Sequence, residues 1–94
     1  MLIIAGSLTV DPADRERFLE VNADVVGEAR RAAGCLDFVQ APDPLEPGRI
    51  NIFELWEDEV HLLAFRGAGQ PDTDSPPIQA AKVRRYLISA VEEA

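Results

Sequence analysis

The chain has 94 residues, which is enough for a single domain, residues 1–94, but too few for a large hydrophobic core. Its 17 acidic and nine basic residues leave a formal net charge of −8. A nucleic-acid binder needs clustered Lys and Arg, and an anionic membrane surface attracts basic segments. The charge balance therefore argues against both nucleic acid and membrane as partners.

Cysteine and histidine usage narrows the kind of site that the chain can build. The one cysteine cannot form a disulfide within the chain, and with one histidine we expect no protein-built metal site. The first residues lack the positively charged segment of a signal peptide. No apolar run approaches the roughly 20 residues that span a bilayer. These features predict a protein of the reducing cytoplasm.

The first third of the chain predicts a strand followed by a long helix. Residues 2–10 are rich in β-branched and aliphatic side chains, as strands are. Asp11 is placed to cap a helix whose first residue is Pro12, and Gly34 is placed to end it. Apolar side chains recur between them at helical spacing, at Phe18, Val21, Val25, Ala29 and Ala32. The pattern predicts a helix over residues 12–33.

Two strands joined by a turn come next. Residues 35–40 predict a short strand and residues 49–57 a longer one, while three prolines and a glycine mark 41–48 as a loop. The longer strand is largely apolar on both faces, so we expect it to be central and covered on both sides. One face carries Ile50, Ile52, Glu54 and Trp56, and the other carries Asn51, Phe53, Leu55 and Glu57.

The last third predicts a second helix and a final strand. Asp58 is placed to cap a helix that runs to about residue 66. A polar loop over 68–77, a helical turn at 78–81 and a strand over 83–91 complete the chain. The residues of the second helix that we expect to face inward are Val60, Leu63 and Ala64.

The order β-α-β, β-α-β predicts an α+β fold of the ferredoxin-like kind, with a four-stranded antiparallel sheet and both helices on one face. The opposite face also needs a cover, because residues 2–10 and 49–57 are apolar on both faces. We therefore expect a homodimer in which two sheets pack face to face.

Several short motifs occur together with this order of elements. The first strand ends in Val-Asp-Pro (10–12), the first helix closes as Ala-Ala-Gly-Cys (32–35), and Phe38 follows that corner. Phe-Glu-Leu-Trp-Glu-Asp (53–58) then leads into the second helix. In these motifs, nearly the whole chain resembles the antibiotic biosynthesis monooxygenase family of dimeric α+β barrels.

The resemblance implies a small oxygenase that uses no cofactor: no flavin, haem or metal. A phenol, hydroquinone or polyketide-like ring would lie between the helices and the sheet. Its deprotonated form gives an electron to dioxygen, and recombination yields a hydroxylated or quinone product. The protein dehydrates the site, orients the substrate and stabilises the anion. The implied function is that of a cofactor-independent monooxygenase acting on a small aromatic molecule.

The sequence departs from the family pattern at two histidines. Phe65 and Ser-Pro-Pro-Ile (75–78) stand where members of the family often carry them. The haem-degrading branch needs an asparagine on the first strand, which has none, so haem degradation is disfavoured. The absent histidines motivate a second hypothesis, a non-catalytic dimeric barrel that binds a small hydrophobic ligand or a protein partner. A closed apolar pocket between the first helix and the sheet, with at least two convergent polar groups, would favour the enzyme, whereas a pocket filled by Phe18, Phe38 and Trp56 would favour this alternative.

Three residues are predicted to be catalytic: Glu54 for management of the anion, Trp56 for stacking and Asn22 for orientation. A covered face would desolvate the Glu54 carboxyl and raise its pKa toward the range of a general base. A structural ion pair with an arginine would equally account for a glutamate on a covered face. Trp56 can equally fill the core with its N–H hydrogen-bonded. Asn22 can equally bond a backbone carbonyl or a water molecule.

Four further residues are predicted to bind substrate: Phe18, Phe38, His61 and Tyr86. His61 falls in the first turn of the second helix, where the dipole favours the neutral ring, so it is either a base or a half-exposed surface residue. Tyr86 either donates a hydrogen bond to a substrate oxygen or anchors the sheet through its ring.

Overall fold

The structure, a computed structural model, describes residues 1–68 and 74–94 and contains one four-stranded sheet within them. The elements are β1 (Leu2–Thr9), a 3-10 turn (Pro12–Asp14), α1 (Arg15–Val21), α2 (Ala23–Arg31), β2 (Cys35–Pro42), β3 (Arg49–Trp56), α3 (Glu59–Gly67) and β4 (Ala80–Leu87). The strands lie in the order β2-β3-β1-β4, and all neighbours are antiparallel. The predicted ferredoxin-like α+β arrangement is therefore confirmed.

The helices cover one face of the sheet and form two hydrophobic clusters with it. The first cluster lies under α2 and α3 and contains Leu2, Ile4, Ala29, Phe38, Trp56 and Leu62. The second cluster lies under α1 and contains Val10, Phe18, Ile50 and Ile52. Every buried strand residue of the two clusters points to the same face, so the core has a single layer between sheet and helices.

The helix predicted over 12–33 is interrupted, which corrects the expectation. Its start is as predicted, because the Asp11 carboxylate accepts a hydrogen bond of 2.9 Å from the backbone N–H of Ala13. Asn22 separates α1 from α2. Its side-chain amide donates to the Phe18 carbonyl at 2.9 Å, so it competes with the backbone for a helical acceptor. The sequence pattern did not show this break, because the apolar residues keep their helical spacing across it.

The ends of two strands also differ from the prediction. β2 continues past residue 40 because Ala41 and Pro42 keep their register opposite β3. The helical turn predicted at 78–81 is wrong, since the Gln79 N–H donates to the Thr9 carbonyl at 2.8 Å and leads the chain into the sheet. β4 ends at Leu87 rather than at residue 91 because its partner β1 begins at Leu2. The predicted loop over 68–77 falls partly on residues 69–73, which lie outside the described residues.

The other face of the sheet carries no helix in the described parts of the chain. It is apolar at one end, where Ile3, Val39, Phe53, Leu55 and Tyr86 lie on neighbouring strands in register. Residues of β4 are exposed along the whole strand. This open face is the surface through which a homodimer is expected, and a single chain does not test that expectation.

No helix among residues 1–68 and 74–94 is both long and apolar enough to cross a membrane.

Candidate functional site

A cleft of about 250 Å³ opens between α2, α3 and the sheet. Its apolar lining consists of Val25 from α2, Phe38 from β2 and Phe65 from α3. Its polar lining consists of Glu54 from β3 and Arg66 from α3. The cleft therefore combines an aromatic wall with one acidic and one basic side chain, as binding sites for small organic molecules do.

Aromatic side chains build the wall and the base of this cleft. The ring of Phe65 meets that of Phe38 edge-on at a centroid distance of 6.2 Å. It also contacts the Trp56 ring system at 5.5 Å with a tilt of 36°. Contacts of this geometry add to the burial of apolar area, so the wall is held in place by packing.

Glu54 is the carboxylate of the cleft, and Trp56 fixes its position. The indole Nε1–H of Trp56 donates a hydrogen bond of 3.0 Å to Glu54 Oε1. Both side chains point to the helix face of β3, two residues apart. Burial raises the pKa of the Glu54 carboxyl, while the hydrogen bond from Trp56 and the charge of Arg66 act in the opposite direction. Glu54 is therefore a carboxyl group whose proton affinity is increased, and it lines an open cleft.

Trp56 has no exposed surface in the single chain and fills the core with its N–H bonded to Glu54, as in the alternative considered from the sequence. Its predicted stacking on substrate stays a prediction. Phe38 lines the cleft, as a substrate-binding residue would. Phe18 lies in the second cluster under α1 and contacts no part of the cleft lining. Of these three aromatic residues, the structure brings Phe38 alone to the cleft surface.

Asn22 lies at the break between α1 and α2 and is absent from the cleft lining. Its Nδ2 donates to the Phe18 carbonyl and to Ser75 Oγ, both at 2.9 Å. A second contact joins the same regions, since Arg17 pairs with Asp74 at 2.8 Å. Asn22 thus ties the segment before β4 to the first helix, and its predicted role in orienting substrate stays a prediction.

His61 and Tyr86 lie away from the cleft. His61 Nδ1 is 2.7 Å from Asp58 Oδ1, and Asp58 also accepts from the His61 backbone N–H at 2.9 Å. These hydrogen bonds lower the pKa of the Asp58 carboxyl. Tyr86 points to the open face of the sheet and is 51% exposed. Neither side chain converges with Glu54, so their predicted substrate-binding roles do not meet at one site in a single chain.

Sequence reasoning missed Phe65 and Arg66 as cleft residues because it chose the wrong inward face for α3. Val60 and Leu63 were expected to face inward, but they are 74% and 50% exposed. Leu62 is the buried residue, and Phe65 follows it at the i, i+3 spacing of one helix face. That spacing was the available signal. Within residues 1–68 and 74–94 no cluster of three potential metal ligands occurs.

Comparison with known proteins places this geometry in a family. The sequence model of the antibiotic biosynthesis monooxygenase family matches residues 1–82. No curated protein is similar enough in sequence to count as a relative.

Solved structures show the same fold at low sequence identity. A Deinococcus radiodurans protein named for that family is 17% identical, with a TM-score of 0.83 over 100% of this chain and 98% of the other. A Nitrosomonas europaea protein named for the same family is 15% identical, with a TM-score of 0.78 over 96% and 100%. The haem degrader MhuD of Mycobacterium tuberculosis, solved with two haems in its active site, is 12% identical, with a TM-score of 0.73 over 99% and 100%.

Proposed function

Because the chain belongs to the antibiotic biosynthesis monooxygenase family, we propose that its cleft is the active site of a monooxygenase that oxidises a small phenol or hydroquinone with dioxygen. The observation that carries this proposal is Glu54, a partly buried carboxyl group held by Trp56 at the wall of an aromatic-lined cleft. The cleft is open rather than closed, and two polar side chains, Glu54 and Arg66, belong to its lining, which supports the enzyme hypothesis over a purely hydrophobic pocket.

In the proposed reaction the protein has two tasks: to accept one proton from the substrate and to stabilise the negative charge of the resulting anion. Glu54 would accept the proton of the substrate hydroxyl, and the phenolate then gives an electron to dioxygen. For a phenol with a free para C–H, phenol and O₂ give a quinone and water. One oxygen atom becomes the new ring carbonyl and the other leaves as water, and all four electrons come from the substrate. Burial raises the pKa of the Glu54 carboxyl above its ordinary value, which makes its carboxylate a stronger base than an exposed glutamate.

Haem does not fit the residues of this cleft. The chain has one histidine, and His61 lies at the start of α3 in contact with Asp58 rather than in the cleft. A volume of about 250 Å³ is also below the range of roughly 300–1,000 Å³ that holds drug-sized ligands, which are smaller than haem. No step of the proposed reaction therefore involves haem.

Two copies of the chain are proposed to pack through the apolar end of the open face. Ile3, Phe53 and Leu55 lie there on adjacent strands, beside the half-exposed ring of Tyr86. Leu55→Lys is expected to give monomers in analytical ultracentrifugation, because it buries a charge in the proposed interface. Leu45→Lys is the matched control, since Leu45 is 88% exposed in the β2–β3 loop. Equal association of both variants and wild type would contradict this packing.

Oxygen uptake by chelator-treated protein is the test of the activity, with the autoxidation of each phenol subtracted. Glu54→Gln is expected to lower the protein-dependent rate by about 10²–10⁴-fold, the usual contribution of acid–base catalysis. Glu57→Gln is the matched control, because Glu57 is an exposed carboxylate just beyond the same strand. Uptake that is insensitive to Glu54→Gln would remove Glu54 from the mechanism.

The alternative function has its own result in this experiment. A dimeric barrel that only binds a hydrophobic ligand would show no protein-dependent uptake with any phenol. It would still show saturable quenching of Trp56 fluorescence, since Trp56 is the one tryptophan and contacts Glu54 at the cleft.

A further inference from the structure

We infer that the substrate is a single-ring aromatic molecule bearing an anionic substituent, and that Arg66 binds this substituent. The inference rests on the proposed function, because it takes the same cleft as the active site and assigns the class of molecule that fits it. Its two elements are the volume of the cleft and the positions of its charged groups.

The volume limits the substrate to one ring. At about 250 Å³ the cleft is smaller than the roughly 300–1,000 Å³ of sites for drug-sized ligands. Val25, Phe38 and Phe65 supply apolar contact for one aromatic ring. A fused polycyclic molecule would have to displace the packed contacts between Phe38 and Phe65 or between Phe65 and Trp56.

Arg66 supplies a positive charge at this cleft. It lies in the last turn of α3 and is exposed to solvent, while Glu54 is half-buried. Within residues 1–68 and 74–94, ion pairs engage Arg17, Arg31, Arg49 and Arg85, and none engages Arg66. A guanidinium group presents parallel N–H donors that match a carboxylate or phosphate in two hydrogen bonds.

Glu54 does not pair with Arg66, so the positive charge of Arg66 is available to a ligand. The two side chains line the same cleft, but they make no ion pair within 4.0 Å. Glu54 Oε1 is bonded instead to the Trp56 indole N–H, at 3.0 Å. A bound phenol would place its hydroxyl at Glu54, and an anionic substituent elsewhere on the ring would reach Arg66.

The chain as a whole repels anions, because its net charge is −8. The positive charge of Arg66 is therefore needed to attract an anionic ligand to the cleft. Exposed charges are screened beyond about 8 Å at physiological ionic strength, whereas a contact inside a cleft is screened less. Selectivity for an anionic ring therefore has to come from a nearby group, and Arg66 is the basic residue of the cleft lining.

The test compares 3-hydroxybenzoate with its neutral isostere 3-hydroxybenzamide, by titrating Trp56 fluorescence of the full chain. We expect wild type to bind the benzoate about tenfold more tightly, the effect of one charged hydrogen-bonding contact. Arg66→Gln should bring the benzoate to the affinity of the amide and leave the amide unchanged. Arg31→Gln, which alters an exposed arginine paired with Glu28 on α2, should behave as wild type.

Three outcomes would overturn the inference: equal affinities for benzoate and amide in wild type, equal weakening of both ligands by Arg66→Gln, or no binding of either ligand. Equal weakening would mean that Arg66 serves the fold or Glu54 rather than the substituent. Charge-selective binding that Arg66→Gln abolishes, together with no oxygen uptake from either compound, would support the inference while rejecting the monooxygenase function. The two failures are therefore distinguishable.

Discussion

Replacing Gly34 with alanine tests the corner where the first helical region turns into β2. Gly34 has a φ of +79°, a conformation that strains residues with a side chain. An alanine Cβ there would lie 2.2 Å from His61 Cγ and 2.4 Å from His61 Cβ. No real Cβ tolerates such distances, so the start of α3 would have to move away from the corner.

The structure gives the size of the loss in two parts. The left-handed backbone costs about 1–2 kcal/mol for a residue other than glycine. Moving His61 breaks its contact with Asp58, which adds about 0.5–1.5 kcal/mol. Gly34→Ala is therefore expected to destabilise the fold by about 1.5–3.5 kcal/mol. For a domain of this size, that corresponds to a fall in Tm of roughly 6–28 °C.

A double-mutant cycle with His61→Gly separates the two parts. Glycine is needed at position 61 because alanine would keep the Cβ atom that lies at 2.4 Å. Urea unfolding followed by Trp56 fluorescence gives the four stabilities. In the His61→Gly background, Gly34→Ala should cost only the backbone part, about 1–2 kcal/mol. If the two substitutions are additive within about 0.3–0.5 kcal/mol, the steric reasoning is refuted.

Three further substitutions test other parts of the structure. The pKa of Asp43 is held at about 2 by hydrogen bonds from the Asn51 side chain and from backbone N–H groups. The stability it contributes is thus present above pH 3.8 and is lost as the pH falls through 2. Asp43→Asn should lower the urea midpoint at pH 7, and its difference from wild type should narrow in that acid range. Glu54→Ala should be about 1–3 kcal/mol less stable than Glu54→Gln, because alanine leaves the buried indole N–H of Trp56 without an acceptor. Equal unfolding midpoints would show that solvent reaches the indole. One guanidinium nitrogen of Arg15 donates to two backbone carbonyls of the β2–β3 loop, those of Asp43 and Glu46 at 3.1 and 3.0 Å, and to the carbonyl of Arg49 at the start of β3 at 3.5 Å. Arg15→Lys should therefore lower the free energy of unfolding in urea by about 1–2 kcal/mol. A variant as stable as wild type would mean that the loop conformation does not depend on the hydrogen bonds of Arg15.

The parts of the fold that the sequence predicted well are those with local chemical signals. Asp11 and Asp58 accept the N-terminal hydrogen bonds expected of helix caps, and Gly34 adopts the positive φ expected after a helix. The alternation in residues 49–57 placed Glu54 and Trp56 on one covered face, where their side chains bond each other. These features depend on residues that are close together in the sequence, so local sequence patterns predict them.

The parts that were missed depend on contacts distant in the sequence. The position of β4 is set by its register against β1, and nothing in the local sequence shows where that partner begins. The helix α3 has only nine residues and carries apolar residues on several sides, so its inward face was ambiguous. That ambiguity hid Phe65 and Arg66 from the predicted site. The break at Asn22 likewise reflects a side-chain hydrogen bond that periodicity does not register.

The position of β4 at the edge of the sheet has a consequence for how molecules of this protein meet. An exposed edge strand offers its outer backbone groups to any other strand, which is a common route to aggregation. Here that strand carries Lys82 and Arg84, together with Arg85, which pairs with Glu59 of α3, in a chain that is otherwise strongly acidic. Two such edges laid side by side would bring like charges together, which opposes growth of the sheet from one molecule into the next. We therefore expect the basic edge to oppose fibre-like stacking of a protein that has an open apolar face.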